Sequence, residues 1–217
     1  MPVPTAEPIV LVLATRNRKK GEELAQLLDP PWEPKGGLEG VLIRALEAFP
    51  DLAEVVEDAD TFAGNARKKA AQTAQSLARW VLADDSGLAV TALKGAPGVY
   101  SARYAGQHGD DAANNRKVLD ELSDVADDER GAAFVCALAL ADPTGAIRLE
   151  AEAACRGRIT HEPRGSGGFG YDPIFLIREY HKTFGELSPL VKQQLSHRAR
   201  AAALIRPGLR RLLLGAR

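Results

Sequence analysis

Residues 81–106 hold the densest group of side chains that could carry chemistry. Adjacent carboxylates at Asp84 and Asp85 end a short apolar run, and Ser86 and Gly87 follow them directly. Ionised carboxylates side by side repel each other, and a divalent cation or firm hydrogen bonds usually keep both charged. Two interpretations are open at this point: a magnesium site at a strand end, or a solvated turn built from common turn residues.

Both interpretations put a turn at Ser86 and Gly87. Beyond it, the apolar alternation of a strand resumes at Leu88, Val90 and Leu93. Glycine and proline then predict a second tight turn ahead of Tyr100, formed by Gly95, Pro97 and Gly98.

A phosphate-binding loop is a second candidate site. Residues 9–14, IVLVLA, are continuously apolar, which is typical of a central strand covered on both faces. A polar loop follows, and leucines recur at helical spacing from about Lys19 until Pro30. Backbone N–H groups at a helix N-terminus attract anions, and Thr, Asn and Lys side chains add donors and positive charge. An ordinary capped helix with surface lysines stays possible, because no Walker A pattern is present.

An acidic loop and a helix form the third candidate. Thr61 is the predicted N-cap of a helix that runs to about Trp80. Asn65 and Lys69 are four residues apart on it and therefore share a face, which lines either a site or solvent. The loop before this helix contains Glu57 among several other acids.

The second half of the chain predicts a long hairpin, residues 133–141 and 146–160, and then a glycine-rich loop, RGSGGFGYDP. The loop matches GxGxxG, but the dinucleotide fingerprint must open a helix, and Pro173 with the extended residues after it forbids one. The glycines instead let the backbone close around a flat ligand, with Phe169 or Tyr171 available to stack on it.

Three further elements complete the predicted order of a mixed α/β chain. Residues 41–46 read as a strand and residues 110–125 as a helix. A last helix is predicted to start at Ser188-Pro189 and to continue through Ala199 into an arginine-rich end. Such an end is ordinarily a solvated helix face and only occasionally a nucleic-acid patch.

Length and composition limit the domain count and the classes of function that the chain can have. At 217 residues and 45% apolar content, we expect one compact domain over residues 1–217. A net charge of -1 argues against a polyanion binder, and no apolar run approaches the ~20 residues of a membrane span. Cys136 and Cys155 lack CxxC spacing and read as buried free thiols. We therefore expect a cytoplasmic protein with neither a nucleic-acid nor a membrane partner.

Taken together, these stretches resemble the inosine triphosphate pyrophosphatase family, also called XTP/dITP diphosphatases. The matching segments are ATRNRKKGEEL, TFAGNARKKA, ADDSGLAVTALKGAPGVYSARYAG, GGFGYDPIF and SHRARAA, which together span most of the chain. The resemblance implies a long curved mixed sheet flanked by helices, with two lobes and a nucleotide cleft between them. It also implies a homodimer that uses Mg²⁺ to hydrolyse ITP, dITP and XTP to the monophosphate and pyrophosphate.

The family's functional residues carry over by motif. Asp85 would be the proton acceptor and a magnesium ligand, with Glu57 as the second acidic ligand. The resemblance implies that the nucleotide is bound by Thr15, Arg16, Asn17, Arg18, Lys19, Lys20, Lys69, Ser86, Phe169, Gly170, Tyr171, Asp172, Lys192, His197 and Arg198. Of these, Lys69 and Lys192 would assist with the phosphates. His197 and Arg198 would join the 169–172 segment in a base pocket whose donors select a six-oxygen over an amino group.

The chain departs from the usual family pattern at a few positions, and Gly64 matters most because it stands where glutamate is usual. If that glutamate helps to hold metal, the site here relies more on Glu57 and Asp85. The other departures are Lys19 for glycine, Asp58-Ala59 for Thr-Gly, Gly185 for alanine and Ala199 for glycine.

Other functions fit parts of the sequence. A pyrophosphatase for pyrimidine or modified nucleotides would share the fold and differ in its base pocket. A nucleotide sensor without turnover would keep the phosphate loop, although the intact Asp84-Asp85-Ser86 argues against it. An RNA-binding module would use the arginine-rich end, but no RRM, KH or HTH signature is present.

Overall fold

A single mixed sheet is the frame of the molecule. The computed structural model describes residues 8–30, 38 and 40–215. Within them, seven strands form the order β2-β1-β3-β4-β5-β6-β7. The strands are β1 (Ile9–Leu13), β2 (Val41–Ala45), β3 (Trp80–Val90), β4 (Gly131–Ala141), β5 (Ile147–Ile159), β6 (Phe175–Ile177) and β7 (Lys182–Thr183). β1 pairs in parallel with β2 and β3, and the other neighbours are antiparallel. This long, curved sheet with flanking helices confirms the predicted fold class.

The helices begin where capping residues predict them. They are α1 (Arg18–Leu28), α2 (Phe62–Leu77), α3 (Asp111–Glu121), α4 (Pro189–Leu195) and α5 (His197–Leu214). The side chains of Asn17, Thr61 and Asp110 accept backbone N–H groups in the first turns of α1, α2 and α3. In the described part of the chain, no helix combines the length and apolar content needed to cross a membrane.

The predicted turn at Ser86 and Gly87 is wrong, because β3 runs through both residues without a break. Every residue from 81 to 90 pairs with β4, so the continuous ladder overrides the local turn preference. Gly87 has a different use: a Cβ there would lie 2.3 Å from Ser101 Oγ and 2.8 Å from the Gly98 carbonyl oxygen. The glycine therefore lets the 3₁₀ turn Gly98–Arg103 pack directly against the strand.

The predicted single C-terminal helix is also wrong, because Ser196 divides it into α4 and α5. Ser196 has extended backbone angles, its N–H donates to the Lys192 carbonyl, and its Oγ accepts the Ala199 N–H at 3.1 Å. One serine thus ends α4 and caps α5, which sets His197 and Arg198 in the first turn of α5.

The core explains how close the helices lie to the sheet. Leucines of β1, β3 and β4 pack against α1 and α5 on one face, whereas the opposite face and the packed side of α2 are rich in alanine. Small side chains allow α2 to approach β3 closely, and this brings Asn65 and Lys69 to the acids of that strand. A separate aromatic cluster that includes Phe134, Phe175 and Phe184 forms a second core.

Candidate active site

Most of the predicted site residues line two adjoining cavities. A cleft of about 360 Å³ is lined by Thr15, Arg16, Asn17, Lys20, Glu57, Lys69, Asp85 and Ser86, among others. A smaller cavity of about 80 Å³ is lined by Phe169, Gly170, Tyr171, Asp172, His197 and Arg198. Asn17, Lys20 and Ser86 line both. A groove of about 490 Å³ elsewhere on β3–β5 contains none of the predicted residues, so volume alone does not identify the site.

Asp84 and Asp85 point to opposite faces of the sheet, as consecutive strand residues do. Asp85 faces α2. The Asp84 carboxylate instead accepts the Ser86 hydroxyl at 3.1 Å and lies 3.8 Å from Lys20 Nζ and 3.6 Å from Arg198 Nε. Burial raises the pKa of Asp84, but Lys20 and Arg198 outweigh it, so the pKa lies well below its usual value. Asp84 is therefore a charged, buried anchor for the two cations.

The Asp85 carboxylate is held from three directions. Its Oδ2 accepts a hydrogen bond from Asn65 Nδ2 at 3.0 Å, and its Oδ1 accepts the Ser86 N–H at 3.1 Å. Lys69 Nζ is 3.7 Å from Oδ1 and 2.9 Å from Glu57 Oε1. Burial, aided by the charge of Glu57, raises the pKa of Asp85 despite the opposing effect of Lys69. A raised pKa moves a carboxylate toward the range where it can act as a general base.

Lys69 stands between the two predicted acidic ligands. Burial lowers its pKa, but the charges of Asp85, Asp84 and Glu57 outweigh that effect and raise it. The ammonium group is therefore charged. The Glu57 and Asp85 carboxylates thus both lie within 4 Å of the Lys69 ammonium.

The loop before α1 presents some of its predicted residues to the cleft and directs others elsewhere. Thr15 Oγ1 accepts the Asn17 N–H, and Asn17 caps the helix, which leaves Lys20 facing Asp84. Arg16 donates to the Leu52 carbonyl at 2.8 Å and still lines the cleft. Three predicted residues line neither cavity: Arg18 pairs with Glu22 in solvent, Lys19 Nζ lies 5.9 Å from the Phe169 ring centroid, and Lys192 donates to Asp172.

The glycine-rich loop places one aromatic ring where a base can stack. The backbone N–H of Phe169 donates to Asp172 Oδ2 at 2.7 Å, and Lys192 Nζ donates to the same oxygen at 2.5 Å. Lys192 also lies 4.5 Å from the Phe169 ring centroid. The expectation that Tyr171 could stack is wrong, since its ring is buried in the second core and its hydroxyl donates to the Ser101 carbonyl.

His197 and Arg198 form the floor of the smaller cavity. His197 is buried and stacks on Phe134 at 4.8 Å, and burial followed by the charge of Arg198 holds its pKa well below the usual value. Its Nδ1 atom is buried without a hydrogen-bond partner in the described structure. Arg198 donates to Glu23 at 2.6 Å and to the Ser86 hydroxyl at 2.9 Å, whereas its buried Nε has no hydrogen-bond partner among the described residues. Burial lowers the pKa of Arg198, but Glu23 and Asp84 outweigh that effect and raise it.

Comparisons with known proteins show the family to which the chain belongs. The Ham1 family model matches residues 11–207 of the chain. The chain belongs to the Ham1 family. A Rhodopirellula baltica protein named dITP/XTP pyrophosphatase is 56% identical over 203 residues, covering 94% of each chain. A Desulforamulus reducens protein of the same name is 50% identical over 191 residues, covering 88% of this chain and 90% of that one.

Solved Ham1 structures share the fold. A HAM1 protein from Coxiella burnetii superimposes with a TM-score of 0.81 at 37% identity, covering 93% of this chain and 98% of that one. A dITP/XTP pyrophosphatase from Mycobacterium abscessus gives 0.73 at 43% identity, covering 92% and 100%.

A magnesium ion fits the acids of this Ham1 chain. No cluster of three or more His, Cys, Asp or Glu residues suited to a metal occurs in the described ranges. Magnesium usually takes only one or two carboxylates and completes its shell with waters and substrate phosphates. Glu57 and Asp85, which converge on the Lys69 ammonium, meet that requirement.

Several site residues escaped the sequence-based set. Asn65 bridges Asp85 and the acidic loop, since its Oδ1 also accepts the Ala59 N–H at 2.9 Å. The shared face of Asn65 and Lys69 was the available signal. No local sequence pattern indicated Glu23, because its partner Arg198 is 175 residues away.

Gly64 and Gly185 are explained by close packing. A Cβ at Gly64 would lie 2.8 Å from the Ala59 Cβ, and one at Gly185 would lie 2.8 Å from the Arg164 carbonyl oxygen.

Proposed function

We propose that this Ham1-family protein hydrolyses the non-standard purine nucleotides ITP, dITP and XTP to the monophosphate and pyrophosphate. The observation that carries the proposal is the junction of the two cavities at Lys20 and Ser86. On one side lie buried carboxylates and lysines suited to phosphates, and on the other lies an aromatic pocket suited to a flat base. The names of the similar proteins from Rhodopirellula and Desulforamulus support the substrate class.

At the phosphate end, the protein supplies positive charge and a proton acceptor. Lys20, Lys69 and the N-terminus of α1 would hold the phosphate oxygens, and such clamps stabilise the charge of a departing pyrophosphate. Glu57 and Asp85 would hold Mg²⁺, which when bound offsets phosphate charge and makes a water easier to deprotonate. Asp85 is positioned by Asn65 and Ser86 and would accept the proton of the attacking water.

At the base end, Phe169 would stack on the purine while donors read its edge. Hypoxanthine and xanthine present an acceptor oxygen at position six, whereas adenine presents an amino group. Among the described residues, His197 Nδ1 and Arg198 Nε have no hydrogen-bond partner, and Lys192 borders the Phe169 ring. A buried donor left unpaired against adenine costs ~1–3 kcal/mol, so such donors favour the six-oxygen.

The enzyme is expected to act as a single catalytic domain, a homodimer and a cytoplasmic protein. The single catalytic domain is supported by the seven-stranded sheet that joins all the described strands. Dimerisation and cytoplasmic location stay predictions. Sedimentation of the purified protein tests dimerisation.

A nucleotide panel tests the proposal. ITP, dITP, XTP, ATP, GTP and dUTP are incubated with magnesium or with EDTA, and pyrophosphate is scored separately from orthophosphate. The proposal requires pyrophosphate from the first three and little from ATP. Turnover of dUTP or other pyrimidine nucleotides alone would indicate the related pyrophosphatase class, and binding without turnover would indicate a sensor.

A further inference from the structure

Helix α3 holds the glycine-rich loop at a single residue, Gly170. Asp111 Oδ2 accepts the Gly170 N–H at 2.8 Å, and Asn115 Nδ2 donates to the Gly170 carbonyl oxygen at 3.0 Å. Asp111 and Asn115 are four residues apart and therefore lie on the same face of the helix. Both polar groups of one glycine are thus satisfied by two side chains of one helix.

Gly170, which α3 holds by these two hydrogen bonds, directly follows Phe169, the residue that would stack on the base. Phe169 is fixed on one side by the bond from its own N–H to Asp172, and on the other by the peptide that α3 holds. Gly170 has a φ of 61° and no atom within 4 Å of an added Cβ. The backbone conformation at this position therefore requires glycine. Side-chain packing contributes little to holding this part of the loop in place.

Helix α3 is itself firmly attached, so it can serve as a fixed reference. Asn114 Oδ1 accepts the Ala105 N–H at 2.7 Å, and Lys117 Nζ donates to the Tyr104 carbonyl at 2.8 Å. These bonds tie the helix to the segment that follows the 3₁₀ turn packed on β3. The grip on Gly170 therefore links the loop to the strand that carries Asp85.

We propose that Asp111 and Asn115 are positioning residues that hold the Phe169 ring in the base pocket. This inference rests on the proposed function, because it assigns the residues to recognition of the base. Neither residue was among those implied by the family resemblance. The buried Oδ1 of Asn115 has no hydrogen-bond partner in the described structure, so this amide contributes to the grip through its NH₂ group.

The variants are chosen to separate the grip from helix stability. Asp111→Ala removes the acceptor, whereas Asp111→Asn keeps an oxygen that can accept the same N–H. Asn115→Asp keeps the shape but replaces the donor by an oxygen facing the Gly170 carbonyl. Asp110→Ala is the matched control, because it removes the N-cap of α3 and makes no bond to Gly170.

Two measurements are made on each folded variant. Hydrogen exchange of peptides covering 165–172 reports the grip without any need for turnover. Steady-state kinetics with dITP and calorimetry with IMP report base binding. One lost hydrogen bond corresponds to roughly a three- to tenfold weakening.

We expect Asp111→Ala and Asn115→Asp to speed exchange in the loop and to raise KM for dITP and Kd for IMP by about three- to tenfold, with kcat within about twofold of the parent protein. Asp111→Asn should restore most of the affinity. Asp110→Ala should lower the melting temperature without raising KM.

The inference is overturned if exchange in the loop is unchanged, if exchange rises while KM and Kd do not, or if Asp110→Ala raises KM equally. Failure of the parent protein to hydrolyse dITP would instead refute the proposed function, and the exchange data would still decide the grip.

Discussion

Replacing Arg198 by alanine should destabilise the fold far more than loss of a surface cation would. Arg198 is 1% exposed and is paired with buried Asp84 and with Glu23, whose side chain is 11% exposed. Removing one partner of a buried ion pair leaves an uncompensated charge and costs about 3–5 kcal/mol. In a chain of this size each kcal/mol lowers the melting temperature by about 2–4 °C. The expected fall is therefore about 6–20 °C.

Thermal melts of Arg198→Ala, Arg198→Lys and Arg18→Ala give the comparison. The Arg18–Glu22 pair lies in solvent, and such pairs contribute about 0–1 kcal/mol, so Arg18→Ala is the matched control. Arg198→Lys keeps a charge and should lose less than Arg198→Ala. A melt of Arg198→Ala within about 2 °C of the control would refute the account of the buried network. Selectivity between ITP and ATP should be measured on Arg198→Lys, since the alanine variant confounds recognition with folding.

Three further outcomes follow from the site. Asp85→Asn should preserve the melt and lower kcat by at least ~100-fold, the usual cost of losing a general base; near-normal turnover would remove Asp85 from the mechanism. Gly64→Ala should cost ~1–3 kcal/mol in a urea titration because its Cβ would meet Ala59, and adding Ala59→Gly should recover most of this; additive losses would contradict the packing argument. His197 is buried with a lowered pKa, so the unfolded chain binds a proton that the folded chain does not, and stability should fall as pH drops below about 6.5. His197→Gln should flatten that slope; an unchanged slope would contradict the assignment.

Local pattern was sufficient where a single element decides the structure. The apolar run of β1, the cap at Thr61 and the β4–β5 hairpin all depend on neighbours in sequence, and each was predicted correctly. The phosphate loop and the face of α2 that carries Lys69 could be found for the same reason.

Local pattern failed where distant contacts override it. The turn-forming residues 84–87 lie in a strand because β4 pairs with all of them. The sequence placed Asp84 and Asp85 side by side, but the pleat of β3 turns them to opposite faces of the sheet. The bonds from Asp111 and Asn115 to Gly170 join residues more than fifty positions apart, and no local periodicity encodes such a contact.

The products formed from dITP test the central claim most directly. With magnesium present, the account predicts dIMP and pyrophosphate in equal amounts, with no dIDP intermediate, and loss of turnover in EDTA. Release of orthophosphate with accumulation of dIDP, or full activity in EDTA, would contradict it.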